Sequence, residues 1–123
     1  MTIPRRSDPT AVIARLHQAQ NQHDVDAFVA CFAADYQSVR PMSPDHTLSD
    51  QDYVRTNWSS IFQAIPDFRS DMLRVYAAGD TIWTEWLWHG TLATGSRFDW
   101  HGITIFGIHD NHIMWGHLYM EPA

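Results

Sequence analysis

The apolar positions of the first half of the chain recur at helical spacing. In "SDPTAVIARLHQAQ", Val12, Ile13, Leu16 and Ala19 fall on one side of a helix, with Ser7 or Asp8 as its cap and Pro9 in its first turn. "HDVDAFVACFAADY" predicts a second short helix capped at Asp24, with Val25, Phe28, Val29 and Phe32 apolar. "YQSVR" then reads as a short strand and "PMSPDHT" as a proline-rich loop. Ser49 followed by Asp52 makes a loose capping box. It opens a third helix in which Val54, Trp58, Ile61, Phe62 and Ile65 keep helical spacing, and Pro66 stops it.

Beyond Pro66 the period falls to two. "FRSDMLRVYAAG", "TIWTEWLWHGTLAT", "RFDWHGITIFGIH" and "HIMWGHLYME" read as four strands, with turns at Gly79-Asp80 and Asp110-Asn111. Helices gathered ahead of an antiparallel meander predict an α+β fold. Three N-terminal helices pack across one face of a strongly curved mixed or antiparallel sheet. Such a sheet makes a cone, open at one end and enclosing an internal pocket. No repeat, low-complexity tract or linker divides the chain, so residues 1–123 read as a single domain.

Composition narrows the partners. Eight Arg, no Lys and fourteen acids give a net charge of −6 without a basic cluster, which argues against nucleic acid and against an anionic membrane. No run approaches the roughly 18 apolar residues of a membrane span, and the start, "MTIPRRSDPTAV", has no apolar core of a signal peptide. A lone Cys31 cannot form an internal disulfide, which fits a cytoplasmic protein, and its helix position suits a small buried apolar residue. Eight His residues form neither His-x-His nor His-Glu-x-x-His, and there is no nucleophile elbow or phosphate loop. No metal and no cofactor are therefore expected. Six Trp are the outlier: they either fill a small core with large rings or line a ligand pocket.

"AIPDF" (64–68), "GD" (79–80), "EW" (85–86), "GTLATGSRF" (90–98), Gly102, Phe106 and "IMWGHLYME" resemble the SnoaL-like polyketide cyclase family, from about residue 9 to 121. That family belongs to the nuclear transport factor 2-like superfamily of cystatin-like α+β cones. The resemblance implies the fold but not the reaction, because the superfamily hosts isomerases, epoxide hydrolases, cyclases, dehydratases and non-catalytic binders.

Matching the superfamily pattern turns Thr84, Trp86 and Trp88 into the pocket, with His101, Ile103 and Ile105 on the next strand and Gly116, Leu118 and Met120 on the last. Ser38 and Arg40 fall at the mouth, and Leu16, Phe32, Trp58 and Phe62 close the other wall. The general-base Asp of the ketosteroid isomerases corresponds to Arg40, and their oxyanion-hole Tyr and acid to Leu16 and Ile105. The Arg and Asp of the epoxide hydrolases correspond to Trp86 and Trp88, and the cyclases' Asp falls at or next to Leu118. A leucine or an indole transfers no proton, so none of these mechanisms carries over intact.

Two polar groups remain as candidate catalytic residues. His101 is a proton-transfer group or a histidine hydrogen-bonded to its neighbours, and Arg40 stabilises negative charge or pairs with a nearby Asp. Trp83, Leu87, Trp115 and Tyr119 on the outer face predict a homodimer packed sheet to sheet. The expected function is binding of a small apolar cyclic or aromatic molecule, with cofactor-free cyclase- or isomerase-type proton transfer if the protein is an enzyme. The alternatives are a non-catalytic binder or carrier, and a pocketless dimeric interaction module.

Overall fold

A computed structural model describes residues 8–39 and 48–123. Helix α1 (Pro9–Gln22) starts where the Asp8 carboxylate accepts from Thr10 N at 3.0 Å, and it ends at His23, which takes the left-handed conformation (φ 55°). In α2 (Val25–Val29) the cap is Asp24, accepting from Ala27 N at 3.0 Å.

This helix is shorter than its sequence suggests, because strand β1 (Phe32–Val39) begins four residues before Tyr36. Tertiary pairing overrides the helical reading of the alanine-rich stretch. Phe32 pairs with Ile113, and the Ile113 N–H donates to the Cys31 carbonyl at 2.8 Å. Strand β2 (Leu48–Ser49) is followed by α3 (Gln51–Ala64), whose cap is Asp50 rather than Ser49. Its carboxylate accepts from Tyr53 N at 2.9 Å.

The meander consists of β3 (Arg69–Ala78), β4 (Thr81–Thr91), β5 (Arg97–His109) and β6 (His112–Pro122). Strand β4 stops at Thr91 because residues 92–96 turn on themselves, with Leu92 N donating to Ser96 O at 2.9 Å and Gly95 at φ 88°. The six-stranded sheet has the order β2-β1-β6-β5-β4-β3. It is mixed, since β1 runs parallel to β6 while the other neighbours are antiparallel.

Helix α1 lies against β3, and α3 against β1. Polar side chains of α1 lock it to the backbone of β3. His17 Nε2 donates to the Ser70 carbonyl at 2.7 Å, and the Asn21 carboxamide brackets Ser70, accepting from its N–H at 2.7 Å and donating to its carbonyl at 3.0 Å. Just past α1, His23 Nε2 donates to the Phe68 carbonyl at 2.8 Å while its ring stacks on Phe62. No helix among the described residues is long and apolar enough to cross a membrane.

The sheet's inner face is set by β4, where Ile82, Thr84, Trp86 and Trp88 are all buried. Pairing across to β5 places Thr84 opposite Thr104, Trp86 opposite Gly102 and Trp88 opposite Trp100. The inner positions of β5 are therefore Trp100, Gly102, Thr104 and Phe106. His101, Ile103 and Ile105 face the other way, against the expectation that they enter the pocket. The physical reason is register. At Gly102 a Cβ would strike the β6 backbone at Tyr119 and Met120, so the register that sets Gly102 opposite Trp86 holds, and the odd-numbered isoleucines point outward. On β6, Gly116, Leu118 and Met120 share the inner face, paired with Phe106, Thr104 and Gly102.

Candidate functional site

Between α1, α3, β1 and the inner face of β4–β6 lies a cavity. Its volume is about 50 Å³. It is a narrow slot, suited to a flat or small occupant. Leu16, Phe32, Trp58, Trp86, Trp88 and Leu118 line it, together with Phe28 and Phe106. The rings interlock: Trp58 meets Trp88 edge to face at 5.2 Å and lies tilted against Phe28 at 4.7 Å, and Trp86 lies tilted 6.3 Å from Trp88.

Two residues expected in the wall stand behind it. Phe62 is buried against His23 and Trp58, and Met120 packs on the core, but neither reaches the cavity. Ile103, on the opposite face of the sheet, is 38% exposed, and Ile105 shares that face. His101 is there too, its Nε2 2.9 Å from Glu85 Oε2, while Arg74 approaches the other carboxylate oxygen at 3.5 Å. The candidate proton-transfer residue is thus hydrogen-bonded to Glu85 on the surface, away from the cavity. Arg40 lies outside the described residues.

The polar lining comes from residues that periodicity and resemblance had not singled out for chemistry. Gln20 stands one turn after Leu16 on the apolar side of α1 and is 1% exposed, and Asn57 precedes Trp58 on α3. On β1, Tyr36 and Ser38 share the inner parity. The Tyr36 hydroxyl sits over Gly116, where a side chain would strike it. Burial pushes its pKa up to about 12, with hydrogen bonding to Ser38 opposing, so at neutral pH it is a phenol and a hydrogen-bond donor. Thr104 accepts the indole N–H of Trp86 at 2.8 Å.

At the mouth, exposed Tyr53 and Asp50 complete the rim. Asp50 holds φ 75° and ψ 163°, a region normally left to glycine, and strain of this kind collects at functional sites. An i+2 parity within "YQSVR" and one glutamine on an apolar helix face were the available signals for Tyr36 and Gln20.

The other face of the sheet is aromatic as well. Tyr76, Trp83 and Trp115 are 69%, 45% and 37% exposed, and Trp115 lies across Gly107, where any Cβ would collide with the indole. Among the described residues, no three His, Cys, Asp or Glu side chains are grouped to hold a metal ion. Cys31 is a buried free thiol, its pKa raised by burial and drawn back by Arg15.

The model of the SnoaL-like domain matches residues 13–115. Among solved structures, IdmH of Streptomyces antibioticus, described as a candidate polyketide cyclase, is 18% identical with a TM-score of 0.80, over 94% of this chain and 93% of that one. An NTF2-like protein from Cytophaga hutchinsonii is 10% identical with a TM-score of 0.73, over 98% and 96%. A Mycobacterium tuberculosis protein solved in complex with estradiol-17beta-hemisuccinate is 12% identical with a TM-score of 0.79, over 92% and 94%. At these identities the likeness establishes the fold alone. No curated protein matches the chain in sequence.

Proposed function

The chain belongs to the SnoaL-like domain family of the NTF2-like superfamily, and we propose that it binds a small apolar cyclic or aromatic molecule in the cavity between its helices and its sheet. The observation that carries this reading is the cavity wall itself: three indoles and three phenylalanine rings with a few polar groups, in a slot that opens at Asp50 and Tyr53. Apolar walls with sparse, placed polar atoms are what small-molecule sites use. The steroid ligand of the M. tuberculosis structure supports the same class of occupant. On this reading the sheet curves into a cone around the ligand.

Binding without turnover is the better supported form. Among the described lining residues, Tyr36 is neutral up to about pH 12 and no histidine is present, so the closed part of the cavity holds no base for neutral pH. A second reading, cyclase- or isomerase-type proton transfer, is favoured by Asp50, the carboxylate of the rim, held in a strained conformation. The apolar outer face supports a homodimer packed sheet to sheet.

The test is tryptophan fluorescence titrated with steroids, polyketide-like aromatics and terpenes, with Trp86→Ala and Trp88→Ala beside the parent. Saturable quenching that weakens in both variants is expected. No response, with both variants strongly destabilised, would mean that the indoles are only core. Turnover of the bound compound that disappears in Asp50→Asn would establish the second reading.

A further inference from the structure

Two polar atoms of the cavity wall lack what buried polar atoms normally have. Trp88 Nε1, a donor, and Gln20 Oε1, an acceptor, are both inaccessible to solvent and neither has a hydrogen-bond partner. Their residues are 8% and 1% exposed, and both line the cavity. Ser70 Oγ and Thr84 Oγ1 are also unpartnered, but they belong to residues outside the lining.

The contrast with Trp86 is informative. That indole, two residues away on the same strand, has its N–H satisfied by Thr104, whereas the buried Trp88 N–H has no partner. More than nine in ten buried polar groups are paired, so two unpaired ones in a single cavity mark a place where something else completes them.

We infer that these atoms form a recognition pair for a neutral hydroxyl group on the ring of the ligand. This inference rests on the binding reading above. A hydroxyl oxygen accepts from Trp88 Nε1–H while its proton is donated to Gln20 Oε1, so one small group carries the complement of both atoms. A carboxylate has no proton to give Gln20, and the described lining residues offer it no arginine, so a buried anion is disfavoured. An ether or a ketone accepts from Trp88 but leaves Gln20 unmet. A methyl group serves neither. The cavity therefore selects hydroxylated rings over their deoxy, methylated and acidic counterparts. The surrounding rings of Phe28, Trp58 and Trp86 hold the apolar remainder of the ligand.

Calorimetric titration of the whole protein tests this with three probes of one shape: β-naphthol, β-methylnaphthalene and β-naphthoate. The parent is expected to prefer β-naphthol to β-methylnaphthalene by about tenfold, and to bind β-naphthoate more weakly still. In Gln20→Met and in Trp88→Phe, which keep the bulk of the wall, that preference falls toward one. Equal affinity of the parent for the hydroxyl and methyl probes would overturn the recognition pair while leaving the binding reading standing. Saturation by none of the three would overturn both. If one variant fails to fold, the other and the parent ratio still decide.

Discussion

The Trp86 indole donates to Thr104 Oγ1 at 2.8 Å, joining β4 to β5 on the buried face of the sheet. Trp86 is fully buried and Thr104 is 1% exposed, so no water can replace either partner. Thr104→Val keeps the shape and removes the acceptor. It is expected to cost about 1–3 kcal/mol, the penalty of an indole N–H buried without a partner. Thr104→Ser, which retains the oxygen, should lose less. Urea denaturation of the three proteins checks the order.

Tyr36 gives the fold a sensitivity to alkali. Its folded pKa of about 12 exceeds its ordinary value of 10.0. The folded state therefore holds the proton more tightly, and the corresponding stability is complete below pH 10 and is lost as pH rises toward 12. Two units correspond to about 3 kcal/mol. Stability followed across that window should fall steeply in the parent and less in Tyr36→Phe, which has no proton to lose.

His101 belongs to a partly exposed pair with Glu85 on the face away from the cavity. His101→Ala is expected to change stability by less than about 1 kcal/mol, as pairs of this exposure usually do. Ligand affinity in the fluorescence titration should stay within about twofold of the parent. A large loss of binding would return the histidine to the site.

The aromatic outer face makes a prediction about mass. With Tyr76, Trp83 and Trp115 partly or largely exposed on one sheet face, the protein should sediment as a dimer at micromolar concentration. Trp83→Asp, which puts a charge in the centre of that patch, should sediment as a monomer. A monomeric parent would refute the sheet-to-sheet dimer.

Much of the fold was legible because its punctuation is chemical. Asp8 and Asp24 cap their helices through their carboxylates, Pro66 ends α3's pattern, and the change of period at Arg69 marks the meander. The cap of α3 was misplaced by one residue, since Ser49 and Asp50 both suit the role and only the hydrogen bond to Tyr53 N distinguishes them. The site was less legible. Ile103 and Ile105 resemble core residues, and nothing local says that Thr104, paired with Thr84, takes the inner side instead. That depends on pairing between residues well separated in the chain. Gln20 and Tyr36 gave a weaker signal still, because one polar residue on an apolar face has no meaning until the opposite wall is known.

The position of β6 sets the timing of folding. It follows every other described element in sequence, yet it lies inside the sheet, between β1 and β5. As the protein emerges from the ribosome, β1 has only the two-residue β2 beside it until residues 112–122 arrive, about 80 positions after Phe32. The hairpins of β3, β4 and β5 can form from neighbouring sequence, but the wall holding Phe32 and Tyr36 cannot. A nascent chain halted before β6 should therefore expose that strand and need a chaperone, and the loss of residues 112–122, which include the wall residue Leu118, would leave the cavity unclosed.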